Sequence, residues 1–340
     1  MLKITMFSAA DKVAGQGVGS AYLELVHLLH ERFQDEFDIK INKYGRSQIS
    51  HYHTINFPFF ISTFLPGRGR KIGYVHFLPE TLEGSIKIPQ PFRAIFYWYV
   101  IAFYKRMDHI VVVNPSFISK LEKVGIDRSK ITYIPNFVDD QEFHEFSKDK
   151  KLALRDKYGY DQDRFMILGT GQIQERKGVF DFIQLAKDNP EIQFVWAGGF
   201  SFGRITDGYT ELKKVVDNPP ANLSFPGIVD RDVIGEYYNM ADLFLLPSYN
   251  ELFPMSVLEA FSCGTPVMLR DLELYRSIID GYYESASDEA DMQEKINNLR
   301  NNITGLKFLH DKSLTAAQKY SKDHLAAIWH KFYTQQAKEG

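Results

Sequence analysis

Residues 243–259 read Leu243-Phe-Leu-Leu-Pro-Ser-Tyr-Asn-Glu-Leu-Phe-Pro-Met-Ser-Val-Leu-Glu259. A short apolar run, a polar loop and a helix opened by Pro254 follow one another, the signature of a strand–loop–helix unit. The same alternation recurs toward both termini. Downstream, Pro266–Leu269 is a strand, and two or three helices close the chain, the last being His324–Gln335. Upstream lie strands Phe165–Gly169, Ile192–Ala197 and Leu223–Phe225, separated by helices Val179–Lys187, Thr210–Val216 and Arg231–Asn239. Residues 139–151 are polar and without strand character, and read as an interdomain linker. Before them, strands Leu2–Ser8, Phe37–Ile41, Ile49–Thr54, Lys71–His76, His109–Val113 and Ile131–Ile134 alternate with helices Ser20–Phe33, Phe92–Met107 and Pro115–Val124. Strands that alternate with helices predict parallel sheets. The predicted fold class is α/β: two doubly wound, Rossmann-like parallel-sheet domains, 1–138 and 150–320. Ligands of such sheets bind at the carboxyl ends of the strands, here in a shared cleft.

Composition agrees with this. A chain of 340 residues is long for one domain. The single cysteine, Cys263, excludes an internal disulfide framework and a multi-cysteine zinc site. Residues 1–8 show no basic and apolar leader, and the longest apolar stretch, Ile95 to Tyr104, is about half a membrane span. A cytoplasmic protein, neither secreted nor membrane-crossing, is expected. Charge is uneven. Residues 40–130 hold 14 Lys and Arg against 5 Asp and Glu, an excess of nine, so with a net charge of −3 the remainder carries −12. A basic face for phosphates or anionic lipid competes here with chance surface variation.

Chemistry concentrates after strands. Glu251 and Glu259 stand eight positions apart around Pro254, with Glu259 inside the helix and Glu251 in the loop before it. The backbone N–H groups of Phe253, Met255 and Ser256 are placed to attract phosphate, and the two carboxylates to accept from sugar and ribose hydroxyls. Two solvated glutamates would read the same way. In Gln172-Ile-Gln-Glu-Arg176-Lys177-Gly178 two cations precede a helix. They oppose its dipole, so an anionic ligand such as a diphosphate explains them best. Gly15-Gln-Gly17-Val-Gly19 follows the first strand, but its spacing departs from the dinucleotide fingerprint, which disfavours a nicotinamide cofactor. Ala197-Gly198-Gly199-Phe200 and Phe225-Pro-Gly227-Ile228 are weaker signals for close backbone approach and base-edge contact. His51, His53 and His76 close strands. No third convergent metal ligand accompanies them, so no metal is expected, and a structural role competes with donation to a sugar or phosphate.

In combination and order, these residues resemble glycosyltransferase family 4, with the GT-B fold. The matches are Gly15–Gly19, His76, Asn136, Arg176-Lys177-Gly178, Gly198-Gly199, Phe225-Pro-Gly227, Ala241–Ser248, and the Glu251/Glu259 pair followed by Gly264-Thr-Pro266. The resemblance implies a retaining transferase without tightly bound cofactor or metal, taking a nucleotide-sugar as co-substrate. The carboxyl-terminal domain binds the donor: Arg176 and Lys177 at the diphosphate, Glu259 at the ribose, Glu251 and His76 at the sugar. Gly17, Gly19, Gly198, Gly199, Ile228, Phe253, Pro254 and Met255 complete the expected donor site. The last helix, 321–340, is expected to cross back onto the first, acceptor-binding domain. Leu252 stands where the family often has glycine.

Ser8-Ala-Ala-Asp-Lys12 and Gly73-Tyr-Val-His-Phe-Leu-Pro-Glu80 further resemble the Gram-positive glycolipid synthases of this family. That implies a UDP-glucose or UDP-galactose donor and an acceptor such as monoglucosyldiacylglycerol, on a peripheral enzyme at the inner face of the cell membrane. Arg68, Arg70 and Lys71, and Arg93, Trp98, Lys105 and Arg106 in the aromatic segment 91–106, are the expected anionic-membrane and acceptor contacts. A helix buried under the first sheet is the other reading of that segment. An undecaprenyl-linked or polysaccharide acceptor, and a non-catalytic sugar-nucleotide sensor, stay open as alternatives. No nucleic-acid partner is expected.

Overall fold

The computed structural model describes residues 1–10, 17–76, 78, 92–201, 203, 206, 208–251 and 253–340. Gly15, Pro79, Glu80 and Leu252, singled out above, lie outside these. The chain divides into two compact units.

The first unit combines described residues of 1–137 with Lys322–Gly340. Its strands are β1 (Leu2–Phe7), β2 (Phe37–Ile41), β3 (Ile49–Tyr52), β4 (Arg70–Val75), β5 (His109–Val112) and β6 (Ile131–Tyr133). They form one parallel sheet in the order β2-β1-β3-β4-β5-β6. All four residues of β5 and of β3 are buried, as a sheet covered on both faces requires. Around it lie α1 (Gly17–Phe33), α2 (Phe57–Ser62), α3 (Phe92–Lys105) and α4 (Ser116–Lys123).

The second unit, Val138–Ser321, repeats the plan. Helices α5 (Lys148–Tyr158), α6 (Val179–Asp188), α7 (Tyr209–Asp217), α8 (Arg231–Met240), α9 (Met255–Ser262), α10 (Glu273–Arg276), α11 (Glu289–Arg300) and α12 (Ile303–Lys319) surround a second sheet. That sheet holds β7 (Met166–Thr170), β8 (Gln193–Ala197), β9 (Leu223–Gly227), β10 (Leu243–Leu246), β11 (Val267–Arg270) and β12 (Glu284–Ala286). All its pairings are parallel, in the order β12-β11-β10-β7-β8-β9. The closing helix, α13 (Lys322–Glu339), belongs to the first unit. Its Trp329 and Tyr333 are fully buried there, and Arg70 donates to Gln336 and to the Glu339 carboxylate, each at 2.6 Å. Burying two rings of this size contributes several kcal/mol, at about 25 cal/mol per Å² of apolar area.

Strand β12 and helix α10 went unread in the sequence, and three further elements differ from the sequence reading. The expected linker 139–151 runs into α5, capped by the Ser147 side chain and closed by Gly159 at φ 75°. Its apolar pattern is faint because the helix buries little beyond Leu154 and Arg155. Arg155 anchors it by donating to the carbonyls of Met240, Gln162 and Arg164 and to Asp242. The second, α2, hides in a short aromatic run. The third is α3, which is neither wholly buried nor wholly outward. Val100, Phe103 and Tyr104 are buried, while Phe92, Ile95 and Trp98 are exposed.

Candidate active site

Strand β7 delivers a tight loop to the carboxyl edge of the second sheet. Gly178 ends it at φ 69°, where any Cβ would lie 2.2 Å from the Pro247 carbonyl oxygen. Glycine is therefore required for the β7 loop to lie against the β10 loop. That closeness brings Lys177 onto Glu251, their ammonium and carboxylate in direct hydrogen bond. Arg176 lies 3.9 Å from the other Glu251 oxygen and donates to the Asn250 carbonyl. Ser248 donates to the Lys177 carbonyl at 3.5 Å, and the Tyr249 amide to that of Arg176 at 2.9 Å. Arg176 and Lys177 are largely buried and Glu251 is buried. Burial pushes the Lys177 ammonium down, against the pull of Glu251. Burial alone would raise the Glu251 carboxyl, but the charges of Lys177 and Arg176 outweigh it and hold it below its ordinary value. The cluster thus holds two cations and one carboxylate, and the buried Arg176 Nε makes no hydrogen bond among the described residues.

Glu259 sits in α9, one turn inside the helix, whose N-cap Pro254 offers no side-chain cap. Its carboxylate accepts from the Tyr238 hydroxyl at 2.6 Å and lies 3.7 Å from Arg231. Burial raises its carboxyl, with Arg231 and Tyr238 opposing. Phe253, Pro254 and Met255 are buried, and the Phe253 ring meets Tyr320 edge-on. The two glycines after β8 are there for backbone approach: a Cβ on Gly198 would sit 1.7 Å from the Gly171 carbonyl oxygen, and one on Gly199 2.9 Å from the Ile228 side chain. Ile228 itself is half exposed.

In the first unit Gly17 opens α1, and a Cβ on Gly19 would lie 2.9 Å from the Ala10 carbonyl oxygen. His76 follows β4 and is buried, its ring centroid 4.2 Å from that of Tyr74 and 6.0 Å from that of His53. Asn136 accepts from the Tyr74 hydroxyl at 3.4 Å. His51 Nδ1 and the Tyr333 hydroxyl are 2.7 Å apart. Burial drives His76 and His51 down to about 3 and His53 well below its ordinary value, so all three are neutral.

Three of the expected membrane contacts are used inside the unit. Arg68 is buried and donates to the Tyr44 and Gly45 carbonyls. Arg70 clamps α13, and Lys71 pairs with Asp108 at 2.7 Å. These contacts draw the three cations to backbone carbonyls and carboxylates of the same unit. Trp98, Lys105 and Arg106 are exposed, and Arg93 is half-buried against the Tyr97 ring. Sequence reasoning missed Tyr238 and Arg231, the partners of Glu259. An amphipathic helix carrying two adjacent tyrosines was their only signal.

Residues 150–309 match the family model "Glycosyl transferases group 1", and residues 23–142 match "Glycosyltransferase Family 4". The alpha-galactosylglucosyldiacylglycerol synthase of Streptococcus pneumoniae is 51% identical over 340 residues, covering 100% of this chain and 91% of that one. The chain belongs to glycosyltransferase family 4. A second relative of this transferase, the processive diacylglycerol alpha-glucosyltransferase of Acholeplasma laidlawii, is 33% identical over 206 residues, 58% of this chain and 61% of the other. The fold of the transferase matches Anabaena HepE, solved with UDP and glucose, with a TM-score of 0.80 at 14% identity over 98% of this chain and 100% of that one. This is the GT-B fold. Among the described residues, no helix is long and apolar enough to cross a membrane.

Proposed function

We propose that this glycosyltransferase moves a hexose from a UDP-sugar to a membrane glycolipid, a monoglucosyldiacylglycerol or close analogue, with retention of anomeric configuration. The observation that carries the reading is the charge of the Arg176–Lys177–Glu251 cluster. Two largely buried cations against one carboxylate leave one positive charge uncompensated, and Arg176 keeps an unused donor. A buried charge of this kind is costly without a counter-ion, and a diphosphate supplies one. On this reading Arg176 and Lys177 hold the diphosphate and stabilise it as it departs. Glu251 accepts from the donor sugar and Glu259, oriented by Tyr238, from the ribose. His76, neutral and buried, offers the sugar a hydrogen bond without charge. The C1–phosphate bond breaks as the acceptor hydroxyl attacks from the same face, and the departing phosphate takes its proton. Of the two hexoses left open by the sequence, the product name of the pneumococcal relative favours galactose. The same name supports a diacylglycerol glycolipid acceptor. The exposed Trp98, Lys105 and Arg106 support peripheral attachment to an anionic membrane, at the cytoplasmic face where UDP-sugars are made.

The test is donor screening against glucosyl diacylglycerol in phosphatidylglycerol vesicles, with the product anomer read by NMR. An α-linked product formed only with vesicles is expected. A β-linked product, or equal turnover on soluble sugars, contradicts the reading.

A further inference from the structure

Helices at a protein surface normally bury an apolar stripe and show solvent a polar one. The segment from α2 through Leu65 reverses this. Phe59, Ser62 and Thr63 are buried, while Phe57, Ile61, Phe64 and Leu65, spaced as one helical face, point out. The first half of α3 does the same with Phe92, Ile95 and Trp98, the last 69% exposed. Rings join the two elements: Tyr99 lies 5.4 Å from Phe60 and 6.4 Å from Phe57 between centroids. Where they meet is a cavity of about 370 Å³ lined by Thr54, Ile55, Asn56, Phe57, Phe96 and Tyr99. Its polar lining, Thr54 and Asn56, follows directly on His53 beyond the end of β3. The Thr54 hydroxyl accepts from the Ala9 amide at 3.1 Å, which ties that end of the groove to the carboxyl edge of the sheet.

Among the described residues of 39–76 and 92–107, every Asp, Glu, Lys or Arg is a Lys or Arg. The Arg106 guanidinium lies 4.2 Å over the Phe64 ring and donates to the Thr63 carbonyl at 3.1 Å, which fixes a cation beside the exposed aromatic face. Outward aromatics with a cationic rim fit the interface of an anionic bilayer.

We propose that the α2–α3 groove seats one acyl chain of the glycolipid acceptor, with the sugar headgroup toward the sheet edge at His53 and the lower part of the chain still in the bilayer. This rests on the lipid-acceptor reading above. The physical need is specific. Raising a glycolipid headgroup out of the membrane exposes its upper methylenes to water, and each lowers occupancy about fourfold. An apolar groove leading to the headgroup position removes that cost.

The test uses the full chain and a glucosyl diacylglycerol bearing a diazirine on the upper methylenes of one chain, in phosphatidylglycerol/phosphatidylcholine vesicles. Photolabelling is expected within 54–57 and 96–99, falling at least fivefold in Asn56→Trp, which fills the groove, and in Phe57→Asp, which places a charge at its mouth. Both positions are exposed, and an unchanged circular-dichroism spectrum and thermal midpoint show that each variant is folded. Label confined to Ile61 and Trp98, or unchanged in both variants, overturns the proposal. Equal groove labelling by phosphatidylglycerol carrying the same diazirine overturns its acceptor specificity. Groove labelling without hexose transfer to the lipid sinks the acceptor reading and leaves the acyl-chain site standing.

Discussion

At the edge of the second sheet Lys177 is largely buried and Glu251 buried, and both are charged; His51, His53 and His76, at the edge of the first, are more deeply buried and neutral. The difference follows from partners. Lys177 has a carboxylate in hydrogen-bond contact, so the charged forms survive desolvation. The histidines have aromatic rings and one another for neighbours, so burial removes the proton. On the proposed reading, one edge holds an anion and the other offers uncharged hydrogen-bonding groups to a neutral hydroxyl.

The sharpest way to break the contrast is Lys177→Ala. It is expected to lower kcat/KM by roughly tenfold or more, from the ~2–4 kcal/mol that one charge-stabilising group contributes to a transition state. Steady-state kinetics near wild-type would remove the second sheet from catalysis.

Acid should reach the first sheet instead. The folded values of His51 and His76 lie near 3, below the unfolded 6.5, so their stabilising contribution is complete above about pH 6.5. It is lost as pH falls from there toward 3, at about 1.4 kcal/mol per pH unit for each. Thermal unfolding is expected to drop by several degrees between pH 6.5 and 5.5, and less steeply in His53→Phe, which removes one of the groups that take up a proton on unfolding. A flat profile would mean that the cluster is open to water.

Smaller effects sharpen the picture. Tyr238→Phe removes one hydrogen bond to a carboxylate and is expected to raise the donor KM about fivefold with little change in kcat. Arg70→Ala should loosen α13 by about 1 kcal/mol, read as a fall in Tm with kcat intact; an unchanged Tm would make that ion pair idle.

The alternation of strands and helices was legible because fully buried parallel strands leave unbroken apolar runs, as in Leu243–Leu246. The charged cluster was legible because Arg176 and Lys177 stand where a helix dipole resists them. What stayed hidden needed the third dimension. α5 is polar because Arg155, not an apolar stripe, holds it down. Arg68, Arg70 and Lys71 looked like a surface patch, because sequence does not say which carbonyls and carboxylates will lie beside a cation. Tyr238 meets Glu259 only through the packing of α8 near α9.

Calorimetric titration of UDP and of uridine into wild type and Lys177→Ala tests the anion-capture claim most directly. A loss of more than tenfold for UDP, with under twofold for uridine, is expected. Equal losses for both ligands, or undiminished UDP affinity, would contradict it.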